Sequence, residues 1–591
     1  MHVRSVCFQG ALWLWAFVSG VLAVQDLVGP ESRSQKLVRG GASLCAGEQD
    51  YVHKRKQLVL EALHRLEIDC SEDSVPHIAL LPSGGGQRAA VALLGSLHQM
   101  EKEALLGTLL YLGGVSGSTW SMASLYNDPE WSCNMDRALS KLGGPGVELE
   151  QATAWLIERA KEEDFSLTDL WGVLTSAGIM KQMDLRRLSE EADRSASNPY
   201  PVYCAIEQSC LSEGPIEGKW FEVTPHEAGF PELGLFIHTS LLGSKFESGQ
   251  LLEKKLEMDM IKLQGVFGSA LAHGEMVQDF IPPWMKVLDH ADPHSLKYIR
   301  VYRSLCELMV LIQTIIQDPV ALSEVENLQE ILREMVTRND SESLELKGPE
   351  ERGILFEQWS LQLVTTVQTW SQNLEDGAFK KQVSFLTKDI LPLLLKWEWG
   401  TTNSFLYKYQ DSPIPACLKS QQQLHLVDAG LLINVAYPSF LGTKRDMDLI
   451  ITLEYSAGNM FETLTLAKEY AAAVKKPFPE IHADILEDRV WPKDCYVFEG
   501  QGDAPSIVYM PLFNQQNCRD AEEFKAKMEE FSTFQRPFNQ QKINFLLETA
   551  KSNIQRNRDV LLREMKKAAL SRQRKKGLLE VQLSDLSLNP S

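Results

Sequence analysis

The sequence predicts an α/β chain, with strands and helices alternating around a central sheet. Three observations predict it. Ser83-Gly84-Gly85-Gly86-Gln87-Arg88 follows the apolar run His77 to Leu81 and precedes a stretch with helical spacing. Gly114-Val115-Ser116-Gly117-Ser118 does the same after Leu109 to Leu112, so both clusters read as strand–turn–helix junctions. Apolar runs of strand length return at Leu424–Val427 and Leu449–Leu453.

The remaining elements follow in order. His2 and Arg4 precede a mostly apolar run from Val6 to Val24 with small residues near Ala23, which has the composition of a signal peptide or signal anchor. The alternative is a leader without function ahead of a cytosolic domain. Residues 25–47 are polar and loose, closing a first segment, 1–47. Tyr51, Leu58, Leu60, Leu63 and Leu66 are spaced as one face of a helix over 48–68. Residues 150–175 read as helical, and 198–270 as short strands and turns. From about 275 to 395 the chain is mostly helical and acid-rich, a cap inserted into the main domain, 48–565. A basic amphipathic helix covers Lys542 to Lys576, and 566–591 reads as a basic, disordered tail.

Composition narrows the function classes. With 591 residues, 44% hydrophobic and 23% charged, the chain is of ordinary globular type, and its formal charge of −20 argues against nucleic-acid binding. The ten cysteines show no zinc-ligand spacing and read as reduced thiols rather than a disulfide framework. No segment after the leader reaches the roughly 18–20 uninterrupted apolar residues of a spanning helix.

The two glycine-serine turns point to acyl transfer. A serine on a tight strand-to-helix turn exposes its hydroxyl at the top of a sheet, where a nucleophile is needed. A neighbouring glycine turn leaves backbone N–H groups bare for a developing oxyanion. Gly84-x-Gly86-x-x-Ala89 also fits a relaxed dinucleotide fingerprint, but the acidic residue expected after the next strand is missing, as is a P-loop lysine. The best base is Asp428 in Leu426-Val427-Asp428-Ala429-Gly430, a carboxylate ending an apolar strand, where desolvation raises its proton affinity. His482 is the one histidine that follows this acid, in Glu480-Ile481-His482, and a triad would use it; His425 reads as a strand surface residue.

Ser-Gly-Gly-Gly-x-Arg, Gly-Val-Ser-Gly-Ser-Thr-Trp (114–120) and Val-Asp-Ala-Gly (427–430) together resemble the group IV cytosolic phospholipase A2 catalytic domain, nearest its gamma-type members. Trp397-Glu398-Trp399-Gly400-Thr401-Thr402, Gly243-Ser244-Lys245-Phe246 and Ser456-Ala457-Gly458 extend the match, which runs from about residue 50 to 565. The resemblance implies a patatin-like α/β fold, a central mixed sheet with helices on both faces and a helical cap. It implies a Ser116–Asp428 dyad, oxyanion donors at Gly85 and Gly86, and Arg88 on the substrate phosphate, with no cofactor and no metal.

The expected activity is phospholipase A2 and lysophospholipase hydrolysis, with transacylation when a lysolipid accepts the acyl group. The stretch ahead of the glycine turn is too short for a C2 sandwich and no acidic calcium loop appears, so calcium-independent activity is expected. The chain ends Leu588-Asn589-Pro590-Ser591 without a prenylation cysteine. Membrane contact, with glycerophospholipids and lysophospholipids as partners, then falls to the cap rim, the basic helix or the leader, and Trp284, Trp359 and Trp370 are candidates for the rim. The expected location is intracellular and membrane-associated, or the secretory pathway if the leader acts as a signal peptide.

Overall fold

The computed structural model describes residues 37–272 apart from 145, 319–338, 348–533 and 537–588, with short stretches between 295 and 309. The leader, Trp284 and the first part of the cap lie outside the described residues. Fourteen strands are described: β1 Arg39–Gly40, β2 Ile78–Pro82, β3 Tyr111–Gly114, β4 Tyr200–Glu207, β5 Trp220–Val223, β6 Glu227–Phe230, β7 Leu235–His238, β8 Lys245–Glu247, β9 Gln250–Glu253, β10 Thr401–Asn403, β11 Gln423–Asp428, β12 Leu449–Glu454, β13 Tyr496–Phe498 and β14 Ser506–Pro511.

Twelve of these form one sheet, ordered β1-β7-β6-β5-β4-β3-β2-β12-β14-β13, with β11 joined to β4 and β10 to β11. The central strands β4, β3, β2, β12 and β14 run parallel, while β5, β6, β7, β1 and β13 are antiparallel additions, so the sheet is mixed. Buried on both faces, β2 and β12 are continuous apolar runs (Ile-Ala-Leu-Leu and Leu-Ile-Ile) rather than alternating ones. The helix Gly86–Lys102 lies against Gln540–Arg556 so closely that a Cβ on Gly95 would come within 2.7 Å of the Leu547 carbonyl.

In the region expected to form a cap, helices Pro319–Arg338 and Pro349–Asn373 bury Val325, Leu328, Leu332, Phe356, Leu363 and Val367. Trp359 packs on Tyr298 and Phe356, and Trp370 on Phe379, so both rings take part in packing among these helices instead of forming an outer rim. Among the described residues no helix is long and apolar enough to cross a membrane.

The C-terminal region differs from the sequence expectation in two respects. The single helix over Lys542–Lys576 is two, Gln540–Arg556 and Arg558–Leu588, meeting at Asn557, whose side chain bonds Asp494 at 3.0 Å. The tail, expected to be disordered from 566, stays helical to Leu588, and as far as Lys576 the domain supplies acids for its cations. Arg572 donates to Asp448 at 2.7 Å and also bonds Asp446, and Lys576 reaches Asp73 at 2.8 Å. These cations face the domain, which weakens the reading of this helix as a membrane-binding face.

Cys210 of the helix Gln208–Glu213 and Cys417 of Ala416–Lys419 form a disulfide across 207 residues, contrary to the expected all-thiol state. The first helix follows β4 and the second precedes β11, so the pairing of those strands brings the sulfurs together. Closing so long a loop restricts the unfolded chain, and loss of such a bridge costs about 2–5 kcal/mol. A Cys210→Ser variant, or wild type under a dithiol reductant, is therefore expected to unfold at lower denaturant, as measured by circular dichroism.

Candidate active site

β4 brings the site together. Its first half lies beside β3, with Gly114 opposite Tyr203. Because β5 covers the other edge over Tyr203–Ile206, β11 can pair only where β3 has ended, and it sets Asp428 opposite Ala205. Asp428 thus stands two positions further along β4 than Gly114 does. Ser116 follows β3 by two residues, and its hydroxyl acts on the Asp428 carboxyl.

Ser116 sits between β3 and the helix Gly117–Tyr126 with φ 54° and ψ −130°, the left-handed region that side chains other than glycine rarely occupy. The turn is held by its neighbours. Ser118 Oγ accepts the Val115 N–H at 2.9 Å and donates to the Val115 carbonyl at 2.7 Å, while Thr119 Oγ1 donates to the Ser116 carbonyl. Ser118 has a positioning role that the sequence reading did not assign, although it lies inside the Gly-x-Ser-Gly-Ser pattern.

The glycine turn interlocks with this one. A Cβ on Gly84 would stand 2.6 Å from the Ser116 Cβ, and one on Gly117 2.0 Å from the Gly86 carbonyl. Gly85 (φ 147°) and Gly86 (φ 59°) adopt conformations that favour glycine. Gly84 N–H donates to the Asn434 carbonyl at 2.9 Å, whereas the Gly85 and Gly86 N–H groups have no acceptor among the described residues. Two unpaired donors at a helix N-terminus beside a serine can receive an anionic oxygen.

Arg88 lies buried behind the turn. Its Nε donates to the Tyr455 carbonyl at 2.7 Å and its Nη1 to the Phe531 carbonyl, while Nη2 has no partner. Nη2 lies 3.0 Å from where a Cβ on Gly85 would be. Burial presses the guanidinium's pKa down to about 10, and the buried Glu454 carboxyl opposes that shift. The third nitrogen is the one available to a ligand.

Asp428 is fully buried. Its Oδ1 accepts the Gly430 N–H at 2.8 Å, and Oδ2 makes no hydrogen bond of full geometry. Burial pushes its pKa up to about 7, and the Ser116 hydroxyl and the Gly430 N–H pull the other way. Ser116 thus acts on the carboxyl across a contact looser than a formed hydrogen bond, as is common before substrate binds. No charged group contributes to this titration. A carboxyl poised near neutral pH suits a general base.

The structure therefore brings together Ser116, Asp428, Gly85, Gly86 and Arg88. It does not bring His482, whose side chain is 70% exposed beside Glu480. His425 is held on β11, its N–H donating to Glu207 at 3.1 Å and its ring meeting the Trp399 carbonyl at 3.3 Å, so it is a half-buried packing residue.

Residues 150–275 match a family described as the lysophospholipase catalytic domain, a stretch containing neither Ser116 nor Asp428. Over 539 residues the chain is 31% identical to cytosolic phospholipase A2 gamma of Homo sapiens, covering 88% of this chain and 94% of that protein. Against the Mus musculus protein of the same name the figures are 30% over 561 residues, 88% and 91%. The solved human GIVD cytosolic phospholipase A2 matches with a TM-score of 0.62 at 22% identity, over 92% of this chain and 67% of that one, which speaks to the fold.

Proposed function

Since the chain belongs to the cytosolic phospholipase A2 family, we propose that it hydrolyses acyl esters of membrane glycerophospholipids and lysophospholipids through an acyl-serine on Ser116. Asp428 takes the hydroxyl proton as Ser116 Oγ attacks the ester carbonyl. The Gly85 and Gly86 N–H groups hold the tetrahedral oxyanion, where one lost donor costs about 100–1,000-fold in rate. The lysophospholipid leaves with the proton, and water, deprotonated by Asp428, resolves the acyl-serine. A lysolipid hydroxyl in place of water gives transacylation. The observation that supports this reading is that β4 carries both β3 and β11, with the end of β11 at Asp428 two positions along β4 past the end of β3 at Gly114.

Arg88 Nη2 grips the substrate phosphate in this reading. Arg88 meets the Tyr455 and Phe531 carbonyls and the phosphate through three separate nitrogens, a spread that the single ammonium of lysine cannot reproduce, so Arg88→Lys is expected to lower kcat/KM on phospholipid by about 10-fold or more. On a phosphate-free acyl ester the deficit should shrink to a small factor. Equal losses on both substrates would remove the phosphate role.

All chemical steps are assigned to groups of the chain, so activity is expected without calcium. Purified protein added to phosphatidylcholine vesicles in EGTA should release free fatty acid and lysophosphatidylcholine, and added calcium should leave the rate unchanged. No release, or a calcium requirement, would count against the proposal.

The site of action is proposed to be an intracellular membrane surface. The Cys210–Cys417 bridge favours a second reading, an oxidising secretory compartment reached through the apolar run Val6 to Val24. N-terminal sequencing of the cell-made protein decides between them: a chain starting near Val24 supports the second.

A further inference from the structure

Asn434 has no part in the reaction as written, yet it touches both turns that carry it. It lies in the loop leaving β11, four residues beyond Gly430. Its main-chain carbonyl accepts the Gly84 N–H at 2.9 Å. Its side-chain amide donates to Ser456 Oγ at 2.5 Å, and the Ser456 N–H donates to Glu454 at 2.7 Å. The amide oxygen faces inward. It lies 2.2 Å from where a Cβ on Gly84 would be, a point 2.6 Å from the Ser116 Cβ on another side. It also lies 2.7 Å from where a Cβ on Gly430 would be, a point 3.0 Å from Asp428 Oδ1. Glycine at 84 and at 430 is what admits this amide between the two turns.

Resting on the Ser116–Asp428 reading, we propose that Asn434 is a positioning residue for acyl transfer. It fixes the spacing between the oxyanion turn and the base, and it presents a neutral amide to the carboxyl across Gly430. The carbonyl bond ties the Gly85 and Gly86 donors to the loop of Asp428, so the donors and the base move as one unit. The Ser456 bond anchors the amide at its outer end. A hydroxyl can donate or accept, so Ser456 can hold the amide either way round.

The other ionisable groups on elements around Asp428 either have partners of their own or, like the buried Tyr203 phenol, stay neutral. Glu207 of β4 accepts from the Cys210 and His425 N–H groups, Lys262 of the helix Met260–Phe267 binds Asp164, and Glu454 accepts from Ser456 and Tyr509. His425 lies on β11 itself, Tyr203 on β4 is a neutral phenol, and Arg88 bonds the Tyr455 carbonyl. The side chain at 434 is therefore the adjacent position at which a new charge would act most directly on the base.

The test is the pH profile of kcat/KM on phosphatidylcholine vesicles for wild type, Asn434→Ala, Asn434→Asp and Ser456→Ala. Asn434→Asp sets a second carboxylate beside the first and should move the acid limb up by about one pH unit. Asn434→Ala should lower kcat by about 10-fold with KM nearly unchanged. Ser456→Ala, which leaves the loop's sequence intact, should lower kcat by a smaller factor and serves if either 434 variant fails to fold. An Asn434→Asp acid limb within 0.2 units of wild type, or a Ser456→Ala kcat equal to wild type where no 434 variant folds, would overturn the proposal. Failure of the underlying reading looks different: Ser116→Ala would then keep wild-type activity whatever the residue at 434.

Discussion

Ser116→Ala is expected to lower phospholipid hydrolysis by about 10⁴–10⁶-fold in kcat, with the fold intact. The geometry allows this substitution to be read cleanly. The hydrogen bonds that shape the elbow come from Ser118 and Thr119 and from the Ser116 main chain, not from its hydroxyl. Alanine at φ 54° bears much the same backbone strain as serine, so the loss reports the nucleophile and not the turn. A steady-state assay of fatty acid release, with denaturant unfolding alongside, measures both halves of the expectation. A residual rate above a hundredth of wild type would mean that another group attacks the ester.

Asp428→Asn is expected to lower kcat by about 10²–10⁴-fold and, at the same time, to stabilise the fold at alkaline pH. The carboxyl ordinarily titrates at 3.8 and in the folded protein at about 7, so the folded state holds this proton more tightly than the unfolded chain. The sign follows from that difference. Wild type loses stability as pH rises from about 4 to about 7 and carries the deficit above that range. Asparagine carries no charge to bury. The variant's advantage should therefore grow across that window, to about 4 kcal/mol at pH 8 if the full shift is expressed. Denaturant unfolding of both proteins at pH 5 and pH 8 measures it. The same carboxyl puts the acid limb of wild-type kcat/KM near pH 7, since the reaction needs the ionised form.

The parts of the site written into local chain geometry were legible in the sequence. Gly84, Gly85, Gly86 and Gly117 stand where positive φ or a close approach of two turns leaves no room for a Cβ, and such positions announce themselves as glycine clusters. Asp428 was legible as the polar end of an apolar strand. What depends on the pairing of distant strands was not. The Cys210–Cys417 bridge joins helices 207 residues apart, and only the β4–β11 pairing brings them together. Arg88 showed its charge, but its grip on the Tyr455 and Phe531 carbonyls depends on loops far along the chain. The basic C-terminal run read as a solvated tail because its partners, Asp446, Asp448 and Asp73, are scattered in sequence and gathered at one end of the sheet. Asn434 carried no local signal at all.

The central claim is that Ser116 is the group that becomes acylated. A fluorophosphonate ester, which phosphonylates an activated serine with loss of fluoride, tests this by peptide mass spectrometry of the inhibited protein. The expected result is one phosphonyl adduct on the peptide containing Ser116, formed in step with loss of activity and absent from Ser116→Ala. An adduct on a different residue, or full inhibition with Ser116 unmodified, would contradict the account.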